Sequence, residues 1–444
     1  MLGHVPVRVL LVHPAPGGAD RRLIRLPPLG LAYVAGSLRA AGHEVRILDA
    51  AVSARWRREL QALVAGWRPR LVGISAATAV IDSARALAAR VKQADPRILV
   101  LLGGVHATLF PGEVLGTDEI DFAVHGEGEL TAVELLAAVE AGREPDGIPG
   151  LAHRSGGAVR VNARRPPIAD LDSLPPAAYD LLPRGLYSTP VSGRSDVTSM
   201  VTSRGCPYRC AFCDARVVHG RRYRAHSAER VVEEIRQLTG RFGIREVLFK
   251  DSEFTLDRAR TERFCDLLLS GGPRVAWTCS ARVDRVDEAL LRKMGAAGCR
   301  VIQFGVESAD PAVIAALDKG ITVEQVKEAF RTCRAAGIET VANLMVGTPR
   351  ETAESIRSTM RLVREIRPDH LNVQRLVLYP GTTLHRTWQG RSPVEAGEAR
   401  RRRRRLLRAF YLRPARLLAR VLSVDARLWR DNLAAGAQLL AGGD

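Results

Sequence analysis

Short apolar runs alternate with amphipathic stretches along most of this 444-residue chain, and the alternation occurs as two separate series. A strand can reach a parallel neighbour only through a crossover, so alternating strand and helix signals point to parallel sheets covered by helices. In the first series the strand runs are Val7 to Val12, the stretch after the turn at Gly42, Leu71 to Ser75, Ile98 to Gly104 and Asp121 to Val124. Helical patterning lies in PPLGLAYVAGSLRAAGH, over Ile81 to Ala94 and over Leu130 to Glu140. Residues 1–145 are therefore expected to form a doubly wound α/β domain. A stretch rich in Pro and Gly follows, from Pro145 through LDSLPPAAYDLLP, and residues 146–194 read as a surface linker.

The second series starts at Thr198 with TSMVTS and continues through REVLFK, RVAWTCS, RVIQFGVES, TVANLMVG and LNVQRLVLYP. Amphipathic stretches such as SAERVVEEIRQL and TVEQVKEAFRTCRAAG separate them, the latter closed by Gly337. Six strand–helix units predict a partial (β/α)6 barrel over 195–388, with working residues at the carboxyl ends of the strands. Residues 389–444 read as a short, Arg-rich α-helical region.

Lys and Arg number 66 against 48 Asp and Glu, a net charge of +18, and much of the excess sits late in the chain. Arg400 to Arg405 are unbroken and are followed by Arg408, Arg413, Arg416 and Arg420. Such a run is either a solvated helix or a contact for nucleic acid, anionic lipid or an acidic protein. Phe410, Tyr411 and Trp429 interleave with the arginines, which allows an amphipathic surface helix after Pro414 or a stripe docked on its own domain. No apolar run approaches the roughly 18 residues that span a bilayer. The opening segment lacks signal-peptide features. Seven cysteines, three of them within eight residues, point to metal chemistry in a reducing compartment, so a cytoplasmic location is expected.

Those three, Cys206, Cys210 and Cys213, follow the first barrel strand in C-x3-C-x2-C spacing. Thiolates select zinc or iron–sulfur, and three of them around one 4Fe-4S cubane leave its fourth iron open to a ligand. A zinc knuckle completed by His219 or His226 is the alternative. Further polar residues close the other strands: Lys250, Asp251, Ser252 and Glu253 the second, Ser280 and Arg282 the third, Glu307 and Ser308 the fourth. Carboxylates there suit an ammonium or hydroxyl groups and arginine suits a carboxylate, or alternatively the residues form ion pairs at the barrel mouth. Cys265, Cys279, Cys299 and Cys333 read as core. In the first domain the ligand loops are HPAPGG, Ser75 to Thr78, and Gly103 to Thr108. No G-x-G-x-x-G follows the first strand, which weakens a dinucleotide reading.

The segment CPYRCAFC resembles the signature of the radical S-adenosylmethionine (radical SAM) superfamily, including Phe212 before the third cysteine. The resemblance implies a 4Fe-4S cluster whose open iron chelates SAM, and reductive cleavage of SAM to methionine and a 5′-deoxyadenosyl radical. It further implies Phe212 beside the adenine, Glu307 of FGVES as the ribose-binding acid and Arg282 of SARVD as the carboxylate-binding base. Asp251, Glu253 and Ser280 join the same cradle. LMVGTPRET resembles the family's turn beside the adenine, with Gly347 in place and Arg350 where glycine is usual; YPGTTL resembles the closing turn. With PPLGLAYVAGSLRAAGH and HGEGE, the first domain resembles the cobalamin-binding domain that precedes the radical SAM core in one large subfamily. Cobalamin contacts are then expected from Ser75, Thr78, Gly103, Gly104 and His106. The D-x-H-x-x-G motif is absent, and neither His13 nor His106 is expected to bind cobalt.

What the resemblance implies is a cobalamin-dependent radical SAM enzyme that methylates an unactivated carbon of a small-molecule substrate, specialised-metabolite or lipid-like. Oxidative cyclisation or radical rearrangement with the same cofactors, as in the anaerobic porphyrin cyclase, is the alternative. An RNA-modifying enzyme is more remote, since the RNA methylthiotransferases carry three further cluster cysteines in the N-terminal domain and none precedes Cys206. The expected partners are a flavodoxin or ferredoxin as electron donor and, for the basic tail, peripheral contact with anionic membrane; nucleic acid is not expected.

Overall fold

The computed structural model describes residues 6–16, 25–189 and 196–412. The chain divides into two compact units, Met1–Tyr187 and Ser188–Asp444.

In the first unit, β1 (Arg8–His13), β2 (Glu44–Asp49), β3 (Leu71–Ser75), β4 (Leu99–Gly103) and β5 (Phe122–Val124) run parallel in the order β2-β1-β3-β4-β5. Successive side chains of β1 divide between two cores. Val9 and Leu11 pack with α1 (Leu29–Ala40) through Leu31 and Leu38, while Leu10 and Val12 pack with α3 (Ile81–Ala94) through Leu87 and Val91. That two-sided burial explains why β1 is a continuous apolar run rather than an alternating one. Between them α2 (Trp56–Ala62) follows β2, and α4 (Val105–Leu109) with α5 (Pro111–Val114) follows β4. On the α1 side lies α6 (Gly128–Glu140), whose Leu135 and Leu136 join that core.

The stretch read as a linker carries structure of its own. β6 (Leu151–Ser155) and β7 (Ala158–Val161) form an antiparallel hairpin that extends the sheet beyond β5, turning at Gly156 and Gly157 with φ of 59° and 81°. All four residues of β7 are exposed, so no apolar alternation marked it in the sequence. The LDSLPPAAYDLLP segment then lies on α1: Ala178 N–H donates to Ala32 O at 2.9 Å, and Arg39 pairs with Asp180 at 2.8 Å.

The second unit holds six parallel strands in chain order: β8 (Val197–Met200), β11 (Glu246–Phe249), β12 (Ala276–Ala281), β13 (Cys299–Glu307), β14 (Glu339–Val346) and β15 (His370–Arg375). β8 and β15 are the two edges, so the sheet is an unclosed half of a barrel. A short antiparallel ribbon, β9 (Ser203–Arg204) with β10 (Arg224–Ala225), brackets the cysteine loop and α7 (Ala215–His219). The crossover helices are α8 (Ala228–Phe242), α9 (Arg258–Leu269), α10 (Glu288–Ala296), α11 (Pro311–Ala316), α12 (Val323–Ala335) and α13 (Ala353–Ile366). Their starts are written locally: Ser227, Asp257, Asp287, Asp310, Thr322 and Thr352 each accept a first-turn N–H. Cys265, Cys279, Cys299 and Cys333 are buried core residues.

After α14 (Thr383–Thr387) the arginine run forms α15 (Ala396–Tyr411), which buries Ala399, Leu406, Leu407 and Phe410. It covers the free edge of β15: Tyr411 Oη accepts the Leu371 N–H at 3.0 Å and donates to Leu371 O at 2.8 Å, and Arg403 Nε donates to Val373 O at 3.0 Å. An edge strand needs such cover because its outward backbone groups would otherwise invite pairing. Arg413, Arg416, Arg420, Trp429 and the helix considered after Pro414 lie outside the described residues, as do Gly17 and Gly18 of the first loop. Among the described residues no helix is long and apolar enough to cross a membrane.

Candidate active site

The three-cysteine loop is held from below. Asp251, at the end of β11 and 3% exposed, accepts the Thr202 N–H at 2.6 Å, the Thr202 hydroxyl at 2.5 Å and the Ser203 N–H at 3.1 Å. Both of its oxygens are thereby spent on the strand that delivers the cysteines. Gly205 has φ of 84°, and a Cβ there would lie 2.1 Å from Arg222 O, so glycine is required where the chain enters the loop. Cys206 N–H donates to Gly220 O and Cys213 N–H to Cys210 O. All three cysteines are unpaired and half-buried, and burial pushes their thiols up, that of Cys213 to about 11. A metal must displace those protons to bind. Among the described residues no three His, Cys, Asp or Glu side chains gather around a single ion.

Around the loop stand residues of opposite charge. Glu253 is 2% exposed; Oε1 accepts the Thr255 hydroxyl at 2.6 Å, whereas Oε2 is buried without a hydrogen-bond partner. Burial raises its carboxyl to about 7, against the opposing pull of Thr255 and Arg282. Arg282, past the end of β12, forks onto Asp284 at 2.8 and 2.9 Å and donates to Lys319 O at 2.9 Å, yet its Nη1 is buried and unpartnered. Its guanidinium stacks 3.9 Å from the Tyr208 ring centroid inside the cysteine loop. The charges of Glu253 and Arg282 act on Cys206, and those of Arg282, Lys319 and Glu307 on Cys210. Ser280 is half-buried on β12, where its carbonyl accepts the Phe254 N–H.

Glu307 ends β13 with φ of 61°, a conformation costing a non-glycine residue about 1–3 kcal/mol. Lys319, which the sequence reading did not single out, lies 3.1 Å from Glu307 Oε1 and 5.9 Å from the Phe212 ring centroid. A Cβ on Gly305 would fall 2.5 Å from Lys319 Nζ, so that glycine makes room for the ion pair. No motif flagged Lys319; only the packing of the segment after α11 against β13 brings it in. Phe212 packs on the cluster of Ala211, Val313, Leu317 and Leu384 together with Met345 of β14. At the end of β14, Gly347 has φ of 78° and donates its N–H to Glu351 at 3.0 Å. Arg350 holds φ of 65°, the left-handed conformation glycine would supply.

In the first unit, Ser75, Thr78, Gly103, Gly104 and His106 come together at the carboxyl ends of β3 and β4. Ala76 zips the two loops, its N–H donating to Gly103 O and its carbonyl accepting the His106 N–H. Gly104 has φ of 94°, and a Cβ there would meet Ala76 O at 2.8 Å and Ser75 Oγ at 2.9 Å. His106 is buried with Nδ1 3.3 Å from Thr78 Oγ1, and burial lowers its pKa against the opposing pull of Glu113. Unflagged by the sequence, Asp49 at the end of β2 accepts the Tyr187 hydroxyl at 3.0 Å while His13 Nδ1 lies 3.0 Å from its other oxygen.

Comparison with known proteins matches residues 200–363 to the radical SAM superfamily and residues 21–136 to the B12 binding domain. An uncharacterized methyltransferase of Pyrococcus horikoshii is 35% identical, over 85% of this chain and 82% of its own length. The anaerobic magnesium-protoporphyrin IX monomethyl ester cyclase of Rubrivivax gelatinosus is 31% identical, over 85% of this chain and 69% of its own. Among solved structures, the radical SAM methyltransferase TsrM of Kitasatospora setae, with cobalamin and a 4Fe-4S cluster bound, superposes with a TM-score of 0.73, covering 86% of this chain and 74% of its own at 23% identity. The chain belongs to the radical SAM enzymes that carry a cobalamin-binding domain. Its cofactors are accordingly a 4Fe-4S cluster, SAM and cobalamin.

Proposed function

We propose that this enzyme methylates an unactivated carbon of a small molecule, with Cys206, Cys210 and Cys213 holding the cluster. The observation that carries the reading is the pair of orphaned polar atoms beside the cysteine loop, the carboxyl oxygen Glu253 Oε2 and the guanidinium nitrogen Arg282 Nη1. A buried polar atom without a partner is costly, and an α-amino acid group supplies the two counterparts required, an ammonium and a carboxylate. The residues therefore fit the amino acid end of SAM. Bound together, the three cofactors supply a carbon-centred radical and a methyl group. Glu253 orients the ammonium and, on ionising, loses its proton to solvent; Arg282 fixes the carboxylate, its own plane held by Asp284 and Tyr208. Glu307 accepts from ribose, with Lys319 balancing its charge. Phe212 and the Gly347–Glu351 turn receive the adenine, and Ser75, Thr78, Gly103, Gly104 and His106 line the cobalamin loops.

Kinship with the cyclase supports a second outcome, oxidative cyclisation or rearrangement without net methyl transfer. Anaerobically reconstituted protein, incubated with methyl-labelled SAM, cobalamin, a reduced flavodoxin or ferredoxin and a pool of candidate metabolites, separates the two. Label in a metabolite together with 5′-deoxyadenosine supports methylation, and deoxyadenosine without label supports cyclisation. Zinc in place of iron and sulfide after reconstitution, or cluster absorbance that survives alanine at each of the three cysteines, overturns both.

A further inference from the structure

Within the arginine run of α15, Arg402 meets a buried carboxylate rather than solvent. Glu351 closes the Gly347–Glu351 turn with a side chain only 2% exposed. Its Oε2 accepts the Gly347 N–H at 3.0 Å and the Thr348 hydroxyl at 3.3 Å, and its Oε1 accepts from Arg402 of α15. Arg402 is tethered in turn by Glu398 one helical turn earlier. Beside it Ala399 presses on the same turn, for a Cβ on Gly347 would lie 3.3 Å from Ala399 Cβ. The helix is seated by Leu406, Leu407, Phe410 and the Tyr411 bonds to β15, so Arg402 is delivered by a packed element rather than a loose side chain.

We propose that Arg402 is a positioning residue for SAM: it neutralises the buried Glu351 carboxylate and so fixes the turn that receives the adenine, making α15 part of the cofactor site. Without that cation the carboxylate is buried and uncompensated. It then draws water, and its grip on the Gly347 N–H relaxes. Arg401 and Arg405, exposed on the same helix, lack this role.

The inference rests on the assignment of the turn to SAM, and the test keeps the two apart. SAM affinity is measured by anaerobic calorimetry on cluster-loaded, unreduced enzyme, and exchange of the Gly347 amide by hydrogen–deuterium mass spectrometry. Arg402→Ala is expected to weaken SAM about tenfold and to speed exchange at Gly347, with iron content unchanged. Arg402→Lys should recover most of the affinity, and Arg401→Ala should behave as wild type. Should Arg402→Ala fail to fold, Arg402→Met, which keeps the aliphatic stem and removes only the charge, must show the exchange and affinity defects, and Glu351→Gln/Arg402→Met, which leaves neither charge alone, should recover much of the loss. Wild-type affinity and protection in Arg402→Ala or Arg402→Met, or an equal loss in Arg401→Ala, overturns the proposal. Faster Gly347 exchange with undiminished SAM affinity refutes instead the placement of adenine at this turn.

Discussion

Lys319 Nζ stands 3.1 Å from Glu307 Oε1 with both side chains about nine-tenths buried. Burial alone would lower the lysine, but the Glu307 carboxylate and the Cys210 sulfur outweigh it and hold the ammonium above its ordinary range. Replacing Lys319 with Met leaves the Glu307 side chain without its cation at the barrel mouth. Breaking such a pair from one side costs about 3–5 kcal/mol. Urea unfolding should register that loss, and Lys319→Met/Glu307→Gln should recover most of it.

Asp251 supports the cysteines without touching them. Asp251→Ala strands the Thr202 N–H, the Thr202 hydroxyl and the Ser203 N–H, each at about 1–3 kcal/mol if left unsatisfied. Iron and sulfide content after reconstitution is expected to fall well below wild type, although all three cysteines are intact.

Glu253 predicts a pH signature in metal-free protein. Its carboxyl titrates near 7 when folded against the ordinary 4.5, so the folded state binds more protons between those values. Stability from this group is present in full below about pH 4.5, falls as pH rises toward 7 and is flat above, a total of about 3 kcal/mol at 1.36 kcal/mol per unit. Urea midpoints taken from pH 5 to pH 8 should therefore decline more in wild type than in Glu253→Gln. Parallel profiles would refute the assignment.

Arg350 occupies a glycine conformation with φ of 65°. Arg350→Gly exchanges the left-handed penalty of about 1–2 kcal/mol for the greater chain entropy of glycine. A gain of up to about 1 kcal/mol in unfolding free energy is expected. Arg350→Val, β-branched and least tolerant of positive φ, should lose stability in the same denaturation series.

Much of this architecture is legible one segment at a time. The apolar run Leu71–Ser75 and the periodic stretch Ile81–Ala94 coincide with β3 and α3, because a strand buried on both faces and an amphipathic helix each declare themselves within a few residues. The spacing of the three cysteines points to a thiolate-bound metal, zinc or iron–sulfur, and the resemblance of CPYRCAFC narrows it. The hairpin at 151–161 stayed hidden because β7 shows solvent every side chain, and its identity lies in pairing with β6.

Local pattern in the sequence determined the parallel strands, the crossover helices and the thiol trio. The tertiary structure alone decided which charges meet. Lys319 reaches Glu307 across 12 residues, and Arg402 reaches Glu351 across 51. A composition of many arginines cannot say which one meets Glu351. The choice follows from the apolar face of α15 seating on the open edge of β15, since burying Leu406, Leu407 and Phe410 fixes the helix's rotation and with it the side chain that meets a buried carboxylate.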